Sequence, residues 1–204
     1  MTRKQKLYEY YLPKIKCDGA DYQKLGWESA HAQCLRFDAL IRFVDINKKS
    51  ILDVGCGTGN LLEFLNKRND DFTYTGIDIL QSMIDSALQK ALKGTFLCTD
   101  IFDRCPFEAK SFDIVLCSGI FNLNLGNNQT FLEQAIERFL SLSREAFVFN
   151  LLSEKSCDKE NKYYYFSSEE VKNYIEHKYA SKLIVSIIDD YLNNDFTVVC
   201  KFIK

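Results

Sequence analysis

The chain has 204 residues, of which 47% are hydrophobic and 26% charged, and its 26 basic and 28 acidic side chains leave a formal net charge of −2. This composition excludes a disordered chain and matches one soluble globular domain, long enough to bury a core without disulfides. The near-neutral charge argues against a protein that binds a nucleic-acid backbone, for which a basic face is typical.

After a basic N-terminal segment, helical and strand-like patterns alternate. Apolar residues spaced three and four apart predict an amphipathic helix over about residues 28–46. Short apolar runs then predict strands at SILDVG, FTYTGID, TFLCTD, SFDIVLCSG and EAFVFNLL, with helical stripes between most of them. This alternation predicts a parallel sheet with helices on both faces.

The last part of the chain follows a different pattern. SSEEVKNYIEHK predicts a helix that opens with a capping box, and KLIVSIID and DFTVVCKF predict two strands. The link between these strands, residues 189–194, has hairpin length, so the last strand is expected to run antiparallel. The fold class is therefore α/β: a doubly wound, mostly parallel, seven-stranded sheet with a terminal antiparallel hairpin and an N-terminal helical cap.

A glycine-rich loop follows the first predicted strand. It reads Asp53-Val54-Gly55-Cys56-Gly57-Thr58-Gly59, and Asn60 stands where a dinucleotide fingerprint would place its third glycine. An acid ahead of the loop would repel a pyrophosphate but attract a ligand with an ammonium or sulfonium group. The spacing therefore opposes an NAD-dependent oxidoreductase.

Acidic residues close three consecutive predicted strands. Asp53 is followed by Asp78 in TGIDIL and Asp100 in LCTDIF. The carboxyl ends of parallel strands form the crevice where open α/β sheets bind ligands. An acid at the position of Asp78 can accept the hydroxyls of an adenosine ribose, and Asp100 with the Ile101 backbone can meet an adenine edge.

The motifs ILDVGCGTG, GIDI, CTDIFD and FDIVLCSGIFN resemble the successive motifs of class I S-adenosylmethionine-dependent methyltransferases. The resemblance implies a single domain, with residues 1–47 as an acceptor cap and 48–204 as the cofactor-binding core. It implies S-adenosyl-L-methionine as cofactor and S-adenosyl-L-homocysteine as product. The implied cofactor-binding residues are Asp53, Gly55, Gly57, Gly59, Asp78, Ile79, Met83, Asp100, Ile101 and Ser118.

The N-terminal segment GWESAHAQCLRFDAL resembles small bacterial methyltransferases, some of them from surface-polysaccharide gene clusters. That resemblance extends to enzymes that methylate the phosphoramidate of a capsule precursor. It implies O-methylation of a small anionic or nucleotide-linked acceptor. The apolar helix stripe through Phe37 is expected to pack inward and bring Gln33 and Arg36 near the glycine loop, where both would bind the cofactor and Arg36 could clamp its carboxylate. The expected acceptor-site residues are Tyr11, Tyr22, Trp27, Phe121 and Asn122.

The need for a catalytic base depends on the acceptor. A sugar hydroxyl requires a general base, for which His31 is the candidate, whereas a phosphate or phosphoramidate oxygen is already anionic. Ser118 stands where metal-dependent catechol-type enzymes have an aspartate, so no metal is expected. The expected protein is cytoplasmic, without a signal peptide or a membrane span, and a monomer or homodimer.

Two alternatives stay open. One is a methyltransferase of tRNA or another nucleic acid, although the Asn-Pro-Pro-aromatic motif frequent in such enzymes is replaced here by Ser118-Gly119-Ile120-Phe121-Asn122. The other is a protein that binds S-adenosylmethionine without catalysing methyl transfer.

Overall fold

The computed structural model describes residues 2–15, 19–68 and 71–203. The strands are β1 (Lys49–Val54), β2 (Phe72–Asp78), β3 (Thr95–Cys98), β4 (Phe112–Cys117), β5 (Ser143–Leu152), β6 (Leu183–Ile188) and β7 (Asp195–Phe202). The helices are α1 (Arg3–Ile15), α2 (Asp21–Lys24), α3 (Ala30–Ile41), α4 (Asn60–Leu65), α5 (Gln81–Gln89), α6 (Asn128–Leu142) and α7 (Ser168–Tyr179), with a 3-10 turn at Asn66–Arg68.

All seven strands form one sheet in the order β3-β2-β1-β4-β5-β7-β6. The first five strands pair in parallel, and β7 runs antiparallel to both β5 and β6. The doubly wound sheet and its terminal hairpin, both predicted from the sequence, are confirmed. The strand order reverses at β1 and β4, and such a switch point opens a crevice at the carboxyl edge of the sheet.

Both faces of the sheet are buried, which explains why its central strands are continuously apolar. Neighbouring residues of a strand point to opposite faces. Leu52 therefore packs in the cluster that includes α6 and α7, whereas Ile51 packs in the cluster that includes α3, α4 and α5. Ala87 and Leu40 in the second cluster are fully buried, so these helices are held firmly against the sheet.

Helix α3 is shorter than the predicted span of about 28–46. It begins after Ser29, whose hydroxyl accepts a hydrogen bond from the Ala32 amide at 3.0 Å. Past its C-terminal end, the Asp45 carboxylate accepts from the Asn47 amide at 3.0 Å. Such local side-chain bonds compete with helix formation, so the chain turns into β1 instead.

Helix α1 was not among the predicted helices. It lies over the carboxyl edge of the sheet, where the Lys6 ammonium donates to the Leu125 carbonyl at 2.8 Å and the Tyr10 and Tyr163 hydroxyls are 2.9 Å apart. None of its residues is fully buried. No helix within the described residues has the length and apolar character needed to cross a membrane.

Candidate active site

A central cleft opens where β1, β2 and β4 end. Its empty space is about 780 Å³, including the part open to solvent. Of the residues named from the sequence, the cleft is lined by Tyr11, Trp27, Gly55, Asp78, Ile79, Asp100, Ile101, Ser118 and Asn122. The structure therefore brings residues from the first four strand ends and from the N-terminal segment to one place.

The glycine loop has the backbone conformation that only glycine adopts readily. Gly55, Gly57 and Gly59 have φ values of 79°, 53° and 81°. A Cβ atom on Gly55 would collide with the Ile120 side chain, which also lines the cleft. The absence of a side chain at Gly55 thus lets Ile120 pack directly against the loop.

The Asp78 carboxylate lies beside this loop. It accepts hydrogen bonds from the Gly57 amide at 3.1 Å and from the Leu80 amide at 2.9 Å. Burial raises the pKa of Asp78 to about 6, although the backbone hydrogen bonds partly oppose the rise. The carboxyl therefore sits at the cleft as a fixed hydrogen-bond acceptor at neutral pH.

Asp53 lies beneath the loop, where it is fully buried and does not line the cleft. Its carboxylate accepts a hydrogen bond from the Tyr74 hydroxyl at 2.5 Å. Burial raises the pKa of Asp53 to about 7, and the hydrogen bond from Tyr74 only partly offsets this. The Asp53 side chain therefore faces Tyr74 of β2 and not the cleft, unlike the expectation from the sequence.

Asp100 forms an ion pair with Arg3 of α1. Its other carboxylate oxygen accepts from the Phe102 amide at 2.9 Å. The Arg3 guanidinium also lies over the rings of Phe102 and Phe131, at 4.9 and 4.6 Å from their centroids. Helix α1 therefore closes the side of the cleft where an adenine edge was expected.

A second cavity adjoins the central cleft, and the two share Tyr11, Leu25, Trp27 and Asn122 as walls. The remaining walls of the second cavity are Tyr10, Gly26, Glu28, Arg36, Leu123, Leu152, Ser156, Asp158, Glu160, Tyr163, Tyr165 and Asn194. The Asn122 Oδ1 atom is buried at the junction without a hydrogen-bond partner among the described residues. The two cavities are therefore neighbours, separated or joined at the four side chains that they share.

Hydrogen bonds between β5 and the segment after β4 hold the wall between the two cavities in place. The Asn150 amide nitrogen donates to the Ser118 hydroxyl at 3.1 Å, and the Asn150 carbonyl accepts from the Gly119 amide at 3.2 Å. Trp27 packs so close to Gly119 that a Cβ there would lie 2.9 Å from the indole. The sequence alone did not single out Asn150, whose partners lie 32 and 31 residues away.

Arg36 lies in a different place from the one expected. It is 3% exposed, it lines the second cavity and not the central cleft, and its Nε donates to the Asp195 carboxylate at 2.6 Å. Its guanidinium carbon is 4.7 Å from the centroid of the Trp27 ring. Gln33, one turn earlier, does approach the glycine loop, where it accepts from the Asn60 amide at 3.3 Å.

Four further residues named from the sequence lie away from both cavities. Met83, on the buried face of α5, and Phe121, whose ring packs against Phe149 of β5, are core residues that are 2% and 0% exposed. Tyr22 lines a separate depression together with Gln33 and Asn60. His31 is exposed on the outer side of α3.

Three comparisons with known proteins bear on this site. Residues 51–141 match the family model described as a methyltransferase domain. A candidate methyltransferase of Mycobacterium tuberculosis (strain ATCC 25618 / H37Rv) is 30% identical over 161 residues, which are 74% of this chain and 92% of the relative. The chain belongs to the class I S-adenosylmethionine-dependent methyltransferases.

Other matches to this methyltransferase are shorter or more distant. A ubiquinone biosynthesis O-methyltransferase of Neisseria meningitidis serogroup C (strain 053442) is 35% identical over 88 residues, covering 41% of this chain and 37% of the relative. Magnesium protoporphyrin IX methyltransferase from Synechocystis PCC 6803, crystallised with S-adenosylhomocysteine, shares the fold with a TM-score of 0.68. It has 14% identity, and the match covers 98% of this chain and 99% of that one.

The central cleft fits the cofactor of the family, S-adenosylmethionine. Asp78 offers a carboxylate for ribose hydroxyls, and Gly55, which has no side chain, brings its backbone to the wall of the same cleft. Among the residues that the structure describes, no group of three or more His, Cys, Asp or Glu side chains is arranged to hold a metal ion.

Proposed function

We propose that this methyltransferase methylates an oxygen of a small anionic or nucleotide-linked acceptor, such as a capsule polysaccharide precursor carrying a phosphoramidate or sugar group. S-adenosylmethionine supplies an electrophilic methyl group when bound. In this proposal Asp78 holds the ribose, Ile79, Asp100 and Ile101 hold the adenine, and Ser118 lines the transfer site. Gly55 leaves room for the methionine part, while Asp53, Gly57 and Gly59 shape the loop.

The proposal assigns the acceptor to the second cavity. This cavity shares Tyr11, Trp27 and Asn122 with the central cleft, which supports placing the acceptor there, next to the transfer site. Its aromatic walls can exclude water and orient a small molecule, which is the main contribution of a protein to an in-line methyl transfer.

The observation that supports the oxygen-anion acceptor is that the residues shared by the two cavities, Tyr11, Leu25, Trp27 and Asn122, include no histidine and no carboxylate. No histidine is among the described residues that line the two cavities. Burial raises the pKa of Tyr10 and Tyr11 well above their usual value, so both hydroxyls stay protonated and act as donors. An acceptor atom that is already ionised at neutral pH, as in a phosphate, phosphoramidate or carboxylate, needs no base.

The mouth of the second cavity favours a small acceptor over a nucleic acid. Glu28, Asp158 and Glu160 are exposed there, and among the described residues Glu160 alone of the three has an ion-pair partner, Lys162 at 2.7 Å. This entrance differs from that of nucleic-acid enzymes, which usually surround theirs with lysine and arginine.

The test is methyl transfer from isotope-labelled S-adenosylmethionine to a panel of acceptors. The panel contains a sugar phosphoramidate, a sugar phosphate, a sugar nucleotide whose acceptor atom is a neutral hydroxyl, and tRNA. We expect labelled product with the phosphoramidate or phosphate and none with tRNA. Robust labelling of tRNA would show the nucleic-acid alternative, and cofactor binding without transfer to any class would favour a non-catalytic protein.

A further inference from the structure

Arg36 is buried with most of its hydrogen-bonding capacity unused. An arginine has five N–H groups in a planar fork. Nε, which donates to Asp195, is the one guanidinium nitrogen with a hydrogen bond to a described residue, and Nη1 is buried without any partner. A buried donor left unpaired destabilises the protein, so such a group signals a missing acceptor.

Asp195, which pairs with Arg36, does not supply the acceptor that the unpaired N–H groups lack. The Oδ2 atom of Asp195 accepts from Arg36, and its Oδ1 atom accepts from the Tyr191 hydroxyl at 2.5 Å. The Tyr191 hydroxyl is in turn 2.8 Å from the Thr197 hydroxyl. Both oxygens of the Asp195 carboxylate thus accept a hydrogen bond. The carboxylate holds the Arg36 guanidinium in the wall of the second cavity and leaves Nη1 without a partner.

The surroundings of Arg36 select the chemistry of the missing acceptor. Trp27 stacks on one face of the guanidinium, which leaves the edge of the fork for hydrogen bonds in its plane. An oxyanion, either a phosphate or a carboxylate, matches that edge with two parallel bonds. The acidic residues of the cavity, Glu28, Asp158 and Glu160, are exposed at its mouth, where water screens them more strongly than it screens a buried charge.

We infer that Arg36, stacked on Trp27 and held by Asp195, anchors an oxyanion of the methyl acceptor in the second cavity. This inference rests on the proposed function and makes it more specific. It assigns Arg36 to the acceptor instead of to the carboxylate of the cofactor, because Arg36 lines the second cavity and not the central cleft. Arg36 is in this view a residue that determines acceptor specificity.

The experiment uses the fluorescence of Trp27, the single tryptophan of the chain. The full-length protein is saturated with S-adenosylhomocysteine and titrated separately with inorganic phosphate, methyl phosphate, acetate and glucose. We expect a saturable change with one or more of the oxyanions and none with glucose. The phosphate and acetate arms decide whether the anchored group is a phosphate or a carboxylate.

Two variants test the assignment, because oxyanion affinity should fall in one and rise in the other. Arg36→Lys keeps the charge beside Asp195 but lacks the second donor edge, so oxyanion affinity should fall at least about tenfold. Asp195→Asn keeps an oxygen for Arg36 but removes the neutralising charge, so oxyanion affinity should rise severalfold. Both variants are expected to unfold at lower temperature, hence a merely structural role would change affinity in the same direction in both.

Calorimetry with S-adenosylhomocysteine separates this inference from the proposed function. Its affinity should stay within about twofold of wild type in both variants; a tenfold loss in Arg36→Lys would instead make Arg36 a cofactor clamp and overturn the inference. The wild-type titration stands even where a variant does not fold, since an equal response to glucose and phosphate, or none to any oxyanion, also overturns it. Failure of wild type to bind S-adenosylhomocysteine would contradict the proposed function itself.

Discussion

At the residue level, Gly55 has a backbone conformation that favours glycine and also no room for a side chain. The effects of these two features can be measured separately. Gly55 and Gly126 both have positive φ, 79° and 85°. A Cβ on Gly55 would collide with Ile120, whereas one on Gly126 would have no atom within 4 Å. Alanine at either position should cost about 1–2 kcal/mol of stability through the left-handed backbone alone.

We expect Gly55→Ala to weaken S-adenosylhomocysteine binding in addition, because the added methyl group would displace Ile120, which lines the cleft. Gly126→Ala is the matched control and should bind with wild-type affinity. Calorimetry of the two variants, with urea unfolding to measure stability, checks this. Equal affinities in both variants would show that the loop tolerates a side chain and that the cleft is not shaped by Gly55.

The raised pKa of Asp53 leads to a second prediction, on how stability depends on pH. Its pKa is raised to about 7 in the folded protein, above the ordinary value of 3.8. The folded state therefore binds more protons than the unfolded state between these values, so stability is lost as the pH rises through this window. Asp53→Asn keeps an acceptor for the Tyr74 hydroxyl but removes the titration.

The free energy of unfolding should consequently fall less in Asp53→Asn than in wild type between about pH 5 and about pH 8. The difference between the two slopes is on the order of a few kcal/mol at most, since burial of one carboxyl is involved. Urea unfolding at both pH values measures it. Parallel decreases in the two proteins would mean that Asp53 is ionised throughout.

At the level of elements, α1 combines a small share in the core with a wall of the cleft. It contributes no fully buried residue, yet Arg3, Leu7 and Tyr11 line the central cleft. A protein lacking residues 1–18 should melt within a few degrees of the full chain. It should release S-adenosylhomocysteine at least about tenfold faster, since one wall of the cleft is gone.

Stopped-flow displacement of the bound nucleoside measures this rate. The control is Lys4→Ala with Glu9→Ala, two exposed positions of α1 that touch neither cavity. An unchanged release rate in the truncated protein would show that α1 does not cover the bound cofactor.

The elements differ in how far the sequence predicts them, for physical reasons. Strands such as β1 and β4 are buried on both faces, so their apolar runs stand out between glycines and polar loops. The apolar residues of helix α1 that pack against the core are the half-buried Leu7, Tyr10 and Tyr11, and this weak stripe is masked by lysines. The packing of α1 over the cleft is a tertiary contact that local pattern does not contain.

The residues of the site also differ in how far the sequence predicts their positions. Asp78, Asp100 and Gly55 were predicted because strand ends and glycine spacing are local signals, and the structure brings them to one cleft. The environment of Arg36 depends on Asp195, 159 residues away in the chain. A single sequence offers no signal for that pairing, so Arg36 was expected at the cofactor instead of the second cavity.

At the scale of the whole molecule, the cleft draws on most of the fold. Its walls come from α1, from the ends of β1, β2 and β4, and from α6, which contributes Phe131. These elements belong to one sheet with a core cluster on each face. A ligand in the cleft should therefore stabilise the entire chain against unfolding and not one segment of it.

The last prediction follows from this linkage. At one hundred times its dissociation constant, a ligand that binds only the folded state adds about 2.7 kcal/mol. For a chain of this size that amounts to about 5–10 °C in Tm. We expect S-adenosylhomocysteine to shift a single calorimetric transition of wild type by this amount. Asp78→Ala should lose most of the shift at the same ligand concentration, because the carboxylate proposed to hold the ribose is gone. Asp85→Ala, an exposed position on α5, should keep it. Two separate transitions, of which the ligand moves only one, would contradict the view that the cleft is tied to both faces of the sheet.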